Sequence, residues 1–175
     1  DRNINSATIR LLQRCGCEVV VTAGVGCCGA LPLHIGREAQ AKALAEANVA
    51  AWSEQLTDGL DAIVINASGC GTTVKDYAHL VGGAPAKRIG ALARDITELV
   101  AELGLPAGDI APYRVAYHDA CSLQHGQRVD RQPRSLLARA GFEVVDIPER
   151  HFCCGSAGTY NPVSYTHLRA HETGR

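Results

Sequence analysis

Two Cys-Cys-Gly tripeptides, at residues 27–29 and 153–155, are the parts of this chain best suited to chemistry. Neighbouring cysteines rarely form a disulfide with each other, because the resulting ring is strained. Two adjacent thiolates can instead both ligate a soft metal or an iron–sulfur cluster that lies over the loop. Each tripeptide is therefore a candidate part of a metal site.

The sequence that leads to each tripeptide is repeated. Residues 11–20 (LLQRCGCEVV) match residues 136–145 (LLARAGFEVV), and a Cys-Cys-Gly follows shortly after each segment. An internal repeat defines the architecture of a chain, so we expect two related units. The counterpart of Cys121 in the first repeat would fall before Asp1, and the chain has no Met. We therefore interpret the chain as a fragment that starts inside the first repeat.

Two further cysteines follow predicted strands, as the tripeptides do. Cys70 comes after a strand predicted at 61–66, and Cys121 after one predicted at 113–117. Parallel strands bring the residues at their carboxyl ends to one edge of a sheet, so we predict two thiol clusters. The candidate ligands are Cys27, Cys28 and Cys70 in the first cluster, and Cys121, Cys153 and Cys154 in the second.

The alternative is that these cysteines are small buried apolar residues, as a free cysteine often is. Six cysteines at repeated strand ends favour ligation instead. Cys15 and Cys17 differ, because the second repeat has Ala140 and Phe142 at those positions, and packing is the better interpretation. His118 can ligate, donate a hydrogen bond to a cluster sulfur or relay protons, or it can simply pair with Asp119.

Strands alternate with helices along the chain, which is typical of parallel sheets built from βαβ units. We predict an α/β fold with two related βαβ-type units, parallel sheets, and Cys-bearing loops at the carboxyl ends of strands. The predicted helices lie at 6–14, 36–56, 72–80, 89–103 and 133–140, and the predicted strands at 18–22, 61–66, 113–117 and 143–147.

The composition excludes several classes of protein. A net charge of −1 gives no basic footprint for nucleic acid. Nothing approaches the roughly 18 continuous apolar residues of a membrane span. Eight cysteines in an Ala-rich chain of 175 residues do not resemble a secreted disulfide scaffold. In a cytosolic protein such cysteines are typical of metal sites or catalysis.

The Cys-bearing segments resemble the cysteine-rich (CCG) domains of the heterodisulfide reductase group. Within that group they are most similar to the iron–sulfur subunits of glycolate oxidase. The segments that carry the resemblance are 26–31 (GCCGAL), 66–71 (NASGCG), 116–121 (AYHDAC), 123–127 (LQHGQ) and 153–161 (CCGSAGTYN).

The resemblance implies an electron-transfer subunit of a glycolate oxidase complex, in which the flavin-containing subunits oxidise glycolate to glyoxylate. Electrons would pass onward to a membrane acceptor such as quinone. The location implied is the cytoplasm, with peripheral contact at the inner face of the membrane. No catalytic residue is implied in this chain, and no nucleic acid is a partner.

The resemblance also implies that the six candidate cysteines bind [4Fe–4S] clusters, which are noncubane in some relatives, while other repeats bind zinc. His118 would then lie beside the second cluster. Thr73 stands where a further cysteine would complete a Cys-x-x-Cys with Cys70. The first site then has at most four cysteines, counting the one expected before Asp1, which is too few for a five-thiolate cluster, and zinc is an alternative there.

Other functions remain open at this point. The same cysteines would suit a lactate-utilisation or heterodisulfide-reductase-like iron–sulfur subunit, or a structural zinc module. We predict a first repeat at 1–111 and a truncated second repeat at 112–161. Residues 162–175 read as a translated sequencing adapter, so we predict a non-native tail there.

Overall fold

The structure, a computed structural model, describes residues 2–57, 59–105 and 113–152, and it has the α/β class predicted. Its strands are β1 (Ile63–Ile65), β2 (Ala93–Asp95), β3 (Arg114–Ala116) and β4 (Glu143–Val145). Its helices are α1 (Arg2–Arg14), α2 (Ala30–His34), α3 (Glu38–Leu56), α4 (Ser68–Lys75), α5 (Tyr77–Leu80), α6 (Gly83–Leu92), α7 (Ile96–Leu103), a π-helix (Ser122–Gln127) and α8 (Arg131–Arg139).

The described strands form two parallel pairs. β1 pairs with β2, placing Ile63 opposite Ala93, and the connection between them runs through α4, α5 and α6. β3 pairs with β4, placing Val115 opposite Val144, and their connection runs through the π-helix and α8. Each pair is therefore a parallel unit with a helical crossover, as the alternating pattern of the sequence predicted.

The main core lies between β1, β2 and the helices α3 to α6. Ala45, Ile63 and Ile89 are buried in it, and Cys28 packs into the same cluster. Ala41 and Ala45 of α3 are fully buried, and their small side chains leave room for other elements to approach this helix closely. The first Cys-Cys-Gly loop therefore rests on the core rather than on the rim of the fold.

A second cluster joins helices from distant parts of the chain. Leu12 of α1, Val100 of α7 and Leu136 of α8 are buried together, and Cys15 and Cys17 pack against them. Packing was the interpretation that the sequence favoured for these two cysteines, and the structure confirms it.

The repeat is visible in how α1 and α8 end. Gly16 and Gly141 both adopt positive φ, at 85° and 96°. The residue after each glycine donates a backbone hydrogen bond to the last turn of the helix: Cys17 N–H to Leu12 O, and Phe142 N–H to Leu137 O. These are the bonds of a Schellman cap, in which glycine avoids the strain that a side chain would meet. The two copies therefore share a helix and its cap.

The strand predicted at 18–22 is wrong. The second copy forms β4 at the matching position, but residues 18–22 pair with no strand among the described residues. β4 is held by β3, whereas residues 18–22 have no such neighbour in the part of the chain that the structure describes. An extended segment needs such a neighbour to become a strand, because its hydrogen bonds are made between strands.

The single helix predicted at 89–103 is also wrong, because β2 interrupts it. Asp95 ends β2 and caps α7: its carboxylate accepts from Thr97 N–H at 2.8 Å, while Glu98 accepts from Asp95 N–H at 2.8 Å. This reciprocal capping box starts a new helix, and the Asp-x-x-Glu spacing is its sequence signal. Similarly, the helix predicted at 72–80 breaks at Asp76, between α4 and α5.

The predicted division of the chain at 111 and 112 stays a prediction. The two parts are in contact, since the π-helix packs against α4 and α8 packs against α7. The tail predicted at 162–175 lies outside the described residues. None of the helices that the structure describes is long and apolar enough to cross a membrane.

Candidate metal centre

The first Cys-Cys-Gly loop ends in a glycine that nothing larger could replace without strain. Gly29 has φ 88°, in the left-handed region, and precedes α2. A Cβ built on Gly29 would lie 2.7 Å from the carbonyl oxygen of Ala41 in α3. The glycine therefore satisfies two demands, a positive φ and a close approach of the loop backbone to the helix.

Replacing Gly29 by alanine should destabilise the chain for both reasons. Backbone strain alone costs on the order of 1–3 kcal/mol, and the contact with Ala41 adds to it. Gly36→Ala is the matched control, because Gly36 also has positive φ but a Cβ there would meet nothing within 4 Å. We expect urea unfolding to show the larger loss for Gly29→Ala. Equal losses for the two variants would contradict the close contact with α3.

Two buried polar residues hold the same loop from below, and sequence reasoning missed both. Asn48 of α3 accepts a hydrogen bond from Gly26 N–H at 2.8 Å and donates one to Cys27 O at 3.0 Å. Asn48 also donates to the hydroxyl of Tyr77 at 3.0 Å. Tyr77 in turn donates to Cys28 O at 3.0 Å. The only sequence signal for Asn48 was an amide within an Ala-rich apolar helix.

Cys70 contacts the loop through the side chain of Cys28. It lies in the first turn of α4, directly after β1, as predicted from its position at a strand end. The Cys28 thiol donates a hydrogen bond to the Cys70 sulfur, and this bond lowers the pKa of Cys70 to about 7. The same bond, together with burial, raises the pKa of Cys28. The pair therefore carries one sulfur that ionises near neutral pH beside one that keeps its proton.

The metal-free thiols should differ in reactivity for this reason. Because only thiolates are alkylated rapidly, the rate at Cys70 should rise with pH and reach half its maximum near pH 7, whereas Cys28 should stay slow. Mass spectrometry after timed iodoacetamide treatment measures both rates. In Cys28→Ala the half-maximum should move up toward an ordinary thiol value of about 8.5. An unchanged profile in that variant would show that the Cys28 donor does not stabilise the thiolate.

Cys27 is the third cysteine that was predicted for the first site. Its side chain is exposed. It lies near enough to Cys70 and Tyr77 for its charge to raise the pKa of both groups. Within the described part of the chain, no group of three or more Cys, His, Asp or Glu side chains is arranged to hold a metal ion. The structure thus brings together a contacting thiol pair and a third cysteine beside it, which is a partial ligand set.

The second predicted site is described only on one side. Cys121 is exposed and precedes the π-helix, while Cys153 and Cys154 lie outside the described residues. Nevertheless, the segment that leads to Cys153 is tied to the segment that leads to Cys121. His118 Nε2 lies 3.2 Å from Phe152 O, and Arg150 donates to the Asp119 carboxylate at 3.0 Å.

These contacts change the interpretation of His118. Pairing with Asp119 was one alternative for this histidine, but Asp119 is bound by Arg150 and His118 contacts the backbone of Phe152. His118 therefore contacts the residue that immediately precedes Cys153. Its role toward a cluster stays a prediction, as does the meeting of the three cysteines of the second site.

Comparison with known proteins supplies the family. The model of the cysteine-rich domain, CCG, matches residues 1–75 and 115–171, which is most of the chain. The matched range includes all six candidate cysteines and extends past the boundary that we predicted at residue 161. No solved structure shows significant similarity to the chain.

Curated relatives agree with this family. The glycolate oxidase iron–sulfur subunit of Escherichia coli K12 is 38% identical over 164 residues, which are 90% of this chain and 40% of the relative. The probable glycolate oxidase iron–sulfur subunit of Bacillus subtilis 168 is also 38% identical, covering 91% of this chain and 37% of the relative. Lactate utilization protein A of Geobacillus thermodenitrificans is 29% identical, covering 91% and 68%.

The chain spans less than half the length of the two glycolate oxidase subunits that it matches. The family match covers both Cys-Cys-Gly segments, and the resemblance noted from the sequence is confirmed. This chain belongs to the cysteine-rich CCG domain family.

Proposed function

We propose that this chain is the cysteine-rich part of an iron–sulfur electron-transfer subunit in a 2-hydroxy-acid oxidase complex, with glycolate as the substrate of the complex. The observation that carries the proposal is the contact between Cys28 and Cys70, two thiols from segments far apart in the sequence, the first Cys-Cys-Gly loop and α4. The similarity to iron–sulfur subunits of glycolate oxidase supports the choice of cofactor and substrate.

The donor set of the first site fits a thiolate-ligated cluster. Thiolates are the ligands that iron–sulfur clusters use, and Cys70 already ionises near neutral pH. The backbone N–H groups of Ala30 and Cys28 face the Cys28 sulfur and lower the pKa of that thiol, against the larger raising effects of Cys70 and burial. Donors of this kind also stabilise the charge of a cluster sulfur.

In this proposal Cys27, Cys28 and Cys70 hold one [4Fe–4S] cluster, and Cys121, Cys153 and Cys154 hold the other. A bound cluster would supply a site that gains and loses one electron. The chain's residues contribute the ligands and backbone N–H donors toward sulfur. They also contribute apolar surroundings, because Cys28 is 7% exposed and packs on the core. His118 would donate to a sulfur of the second cluster.

The partners proposed are flavin-containing subunits, which would carry out the substrate chemistry, and a membrane acceptor such as quinone. The complex would lie at the cytoplasmic face of the membrane. Lactate is the second candidate substrate, because the chain covers 68% of lactate utilization protein A but only 40% of the glycolate oxidase subunit from Escherichia coli.

Anaerobic purification tests the cofactor. We expect a brown protein with iron and acid-labile sulfide, and absorption that bleaches on reduction with dithionite. A colourless protein that holds zinc and no sulfide would favour the structural module instead. For the substrate, the flavin subunits should reduce the cluster when glycolate is added. Reduction by lactate but not by glycolate would overturn the choice of glycolate.

A further inference from the structure

We propose that Asn48 and Tyr77 are positioning residues that fix the backbone of the Cys27–Cys28 loop and thereby set the reduction potential of a cluster bound there. The second half of this inference rests on the proposed function. The first half concerns the protein alone and can be tested without a metal.

The hydrogen bonds of the two residues are completely used on the loop and on each other. Both N–H groups of the Asn48 amide donate, one to Cys27 O and one to the Tyr77 hydroxyl, and its oxygen accepts from Gly26 N–H. The Tyr77 hydroxyl donates to Cys28 O. Three backbone groups around the two cysteines are thus held by two side chains.

The position of these side chains in the core shows why this arrangement is specific. Asn48 is 1% exposed and Tyr77 is 0% exposed. An amide and a hydroxyl placed in an apolar core are unfavourable unless every polar atom has a partner. The helices α3 and α5 need neither group for their own backbone bonds. The loop is the partner that compensates for their burial, so the network is matched to one conformation of the loop.

Fixing the two carbonyl groups also orients nearby N–H groups. Cys27 O shares its peptide group with the N–H of Cys28, and Cys28 O lies in the peptide group before the one that carries the N–H of Ala30. With Cys27 O and Cys28 O bound by Asn48 and Tyr77, the loop places the N–H of Ala30 and of Cys28 toward the Cys28 sulfur. N–H donors to cluster sulfurs raise the reduction potential. If the carbonyl groups were released, the loop could rotate and these donors would be weakened.

The test uses Tyr77→Phe, which removes one hydroxyl and keeps the ring that packs beside Trp52. Asn48→Ala is the second variant. Two controls remove polar groups away from the loop. Ser53→Ala loses a hydrogen bond within α3, from the Ser53 hydroxyl to Val49 O. Tyr113→Phe loses a hydroxyl on an exposed ring. Circular dichroism and thermal unfolding establish which variants are folded.

The first measurement is alkylation of Cys28 by iodoacetamide in the metal-free chain at fixed pH. Leaving a buried carbonyl without its donor favours opening of the loop, so we expect alkylation to be about tenfold faster in Tyr77→Phe. The second measurement is the midpoint potential after anaerobic reconstitution with iron(II) and sulfide. It should become more negative in Tyr77→Phe and stay unchanged in both controls.

Each outcome decides the inference. Unchanged alkylation of Cys28 in folded variants would overturn it, and so would unfolding of both variants while the controls fold, since the role would then be structural. Faster alkylation with an unchanged potential would overturn the part that concerns the cluster. If the unaltered chain takes up no iron and sulfide, the proposed function fails, while the alkylation rates still decide whether Asn48 and Tyr77 position the loop.

Discussion

Replacing Cys70 by serine is expected to abolish iron binding at the first site. A serine hydroxyl is a hard, weakly acidic ligand, whereas iron–sulfur clusters need soft thiolates. The loss should exceed the 10- to 100-fold that removing an outer hydrogen-bond partner typically costs. Serine at this position would also remove the thiolate that accepts the hydrogen bond of Cys28.

The measurement is iron and sulfide per chain after anaerobic reconstitution. It is best made in a Cys121→Ser background, so that the first site alone reports. Cys15→Ser is the matched control, because Cys15 is a free thiol that packs against the cluster of Leu12, Val100 and Leu136. Retention of iron in Cys70→Ser, or an equal loss in Cys15→Ser, would contradict the assignment of Cys70 as a ligand.

Replacing Arg150 by methionine is expected to give the largest loss of stability among the ion pairs of the described residues. Its partner Asp119 has a fully buried side chain, while Arg150 itself is 37% exposed. Breaking a buried pair leaves an uncompensated charge and costs about 3–5 kcal/mol. Because solvent reaches Arg150, we expect about 2–3 kcal/mol here.

Denaturant unfolding measures this loss, and Arg114→Met is the control. Arg114 pairs with Glu143 at 3.0 Å, as Arg150 does with Asp119, but both side chains of this pair are mostly exposed, at 73% and 61%. Such a pair should contribute at most about 1 kcal/mol. Adding Asp119→Asn to Arg150→Met should restore part of the stability, since it removes the buried charge. Equal effects of the two arginine substitutions would show that the burial of Asp119 does not matter.

The sequence predicted that Cys28 and Cys70 would meet, but it did not predict the residues that support them. Cys70 follows the end of β1, as predicted from parallel topology. Cys28 follows a segment that forms no strand, and its loop is instead held by Asn48 and Tyr77. Asn48 escaped prediction because its partners are backbone groups that lie 22 and 21 residues away in the sequence. Residue types do not reveal which backbone groups a distant side chain will meet.

The errors in the predicted elements have a similar origin. β2 was hidden inside an apolar periodic stretch, and only the capping box of Asp95 and Glu98 marks its end. The strand expected at 18–22 had the residue pattern of β4, but among the described residues it has no neighbour such as β4 has in β3. Propensity can suggest an extended segment, whereas pairing is decided by what lies alongside it.

The cluster of Leu12, Val100 and Leu136 has a consequence for the order in which the chain folds. Its members come from the beginning, the middle and the last third of the sequence, and Leu12 must meet two residues that lie far along the chain before the cluster forms. The strand pairs need shorter closures, from Ile63 to Ala93 and from Arg114 to Glu143. Contacts between residues far apart in sequence slow folding, because entropy is lost before the contacts stabilise the chain. We therefore expect both strand pairs to appear first, and the docking of α1 on α7 and α8 to be the late step.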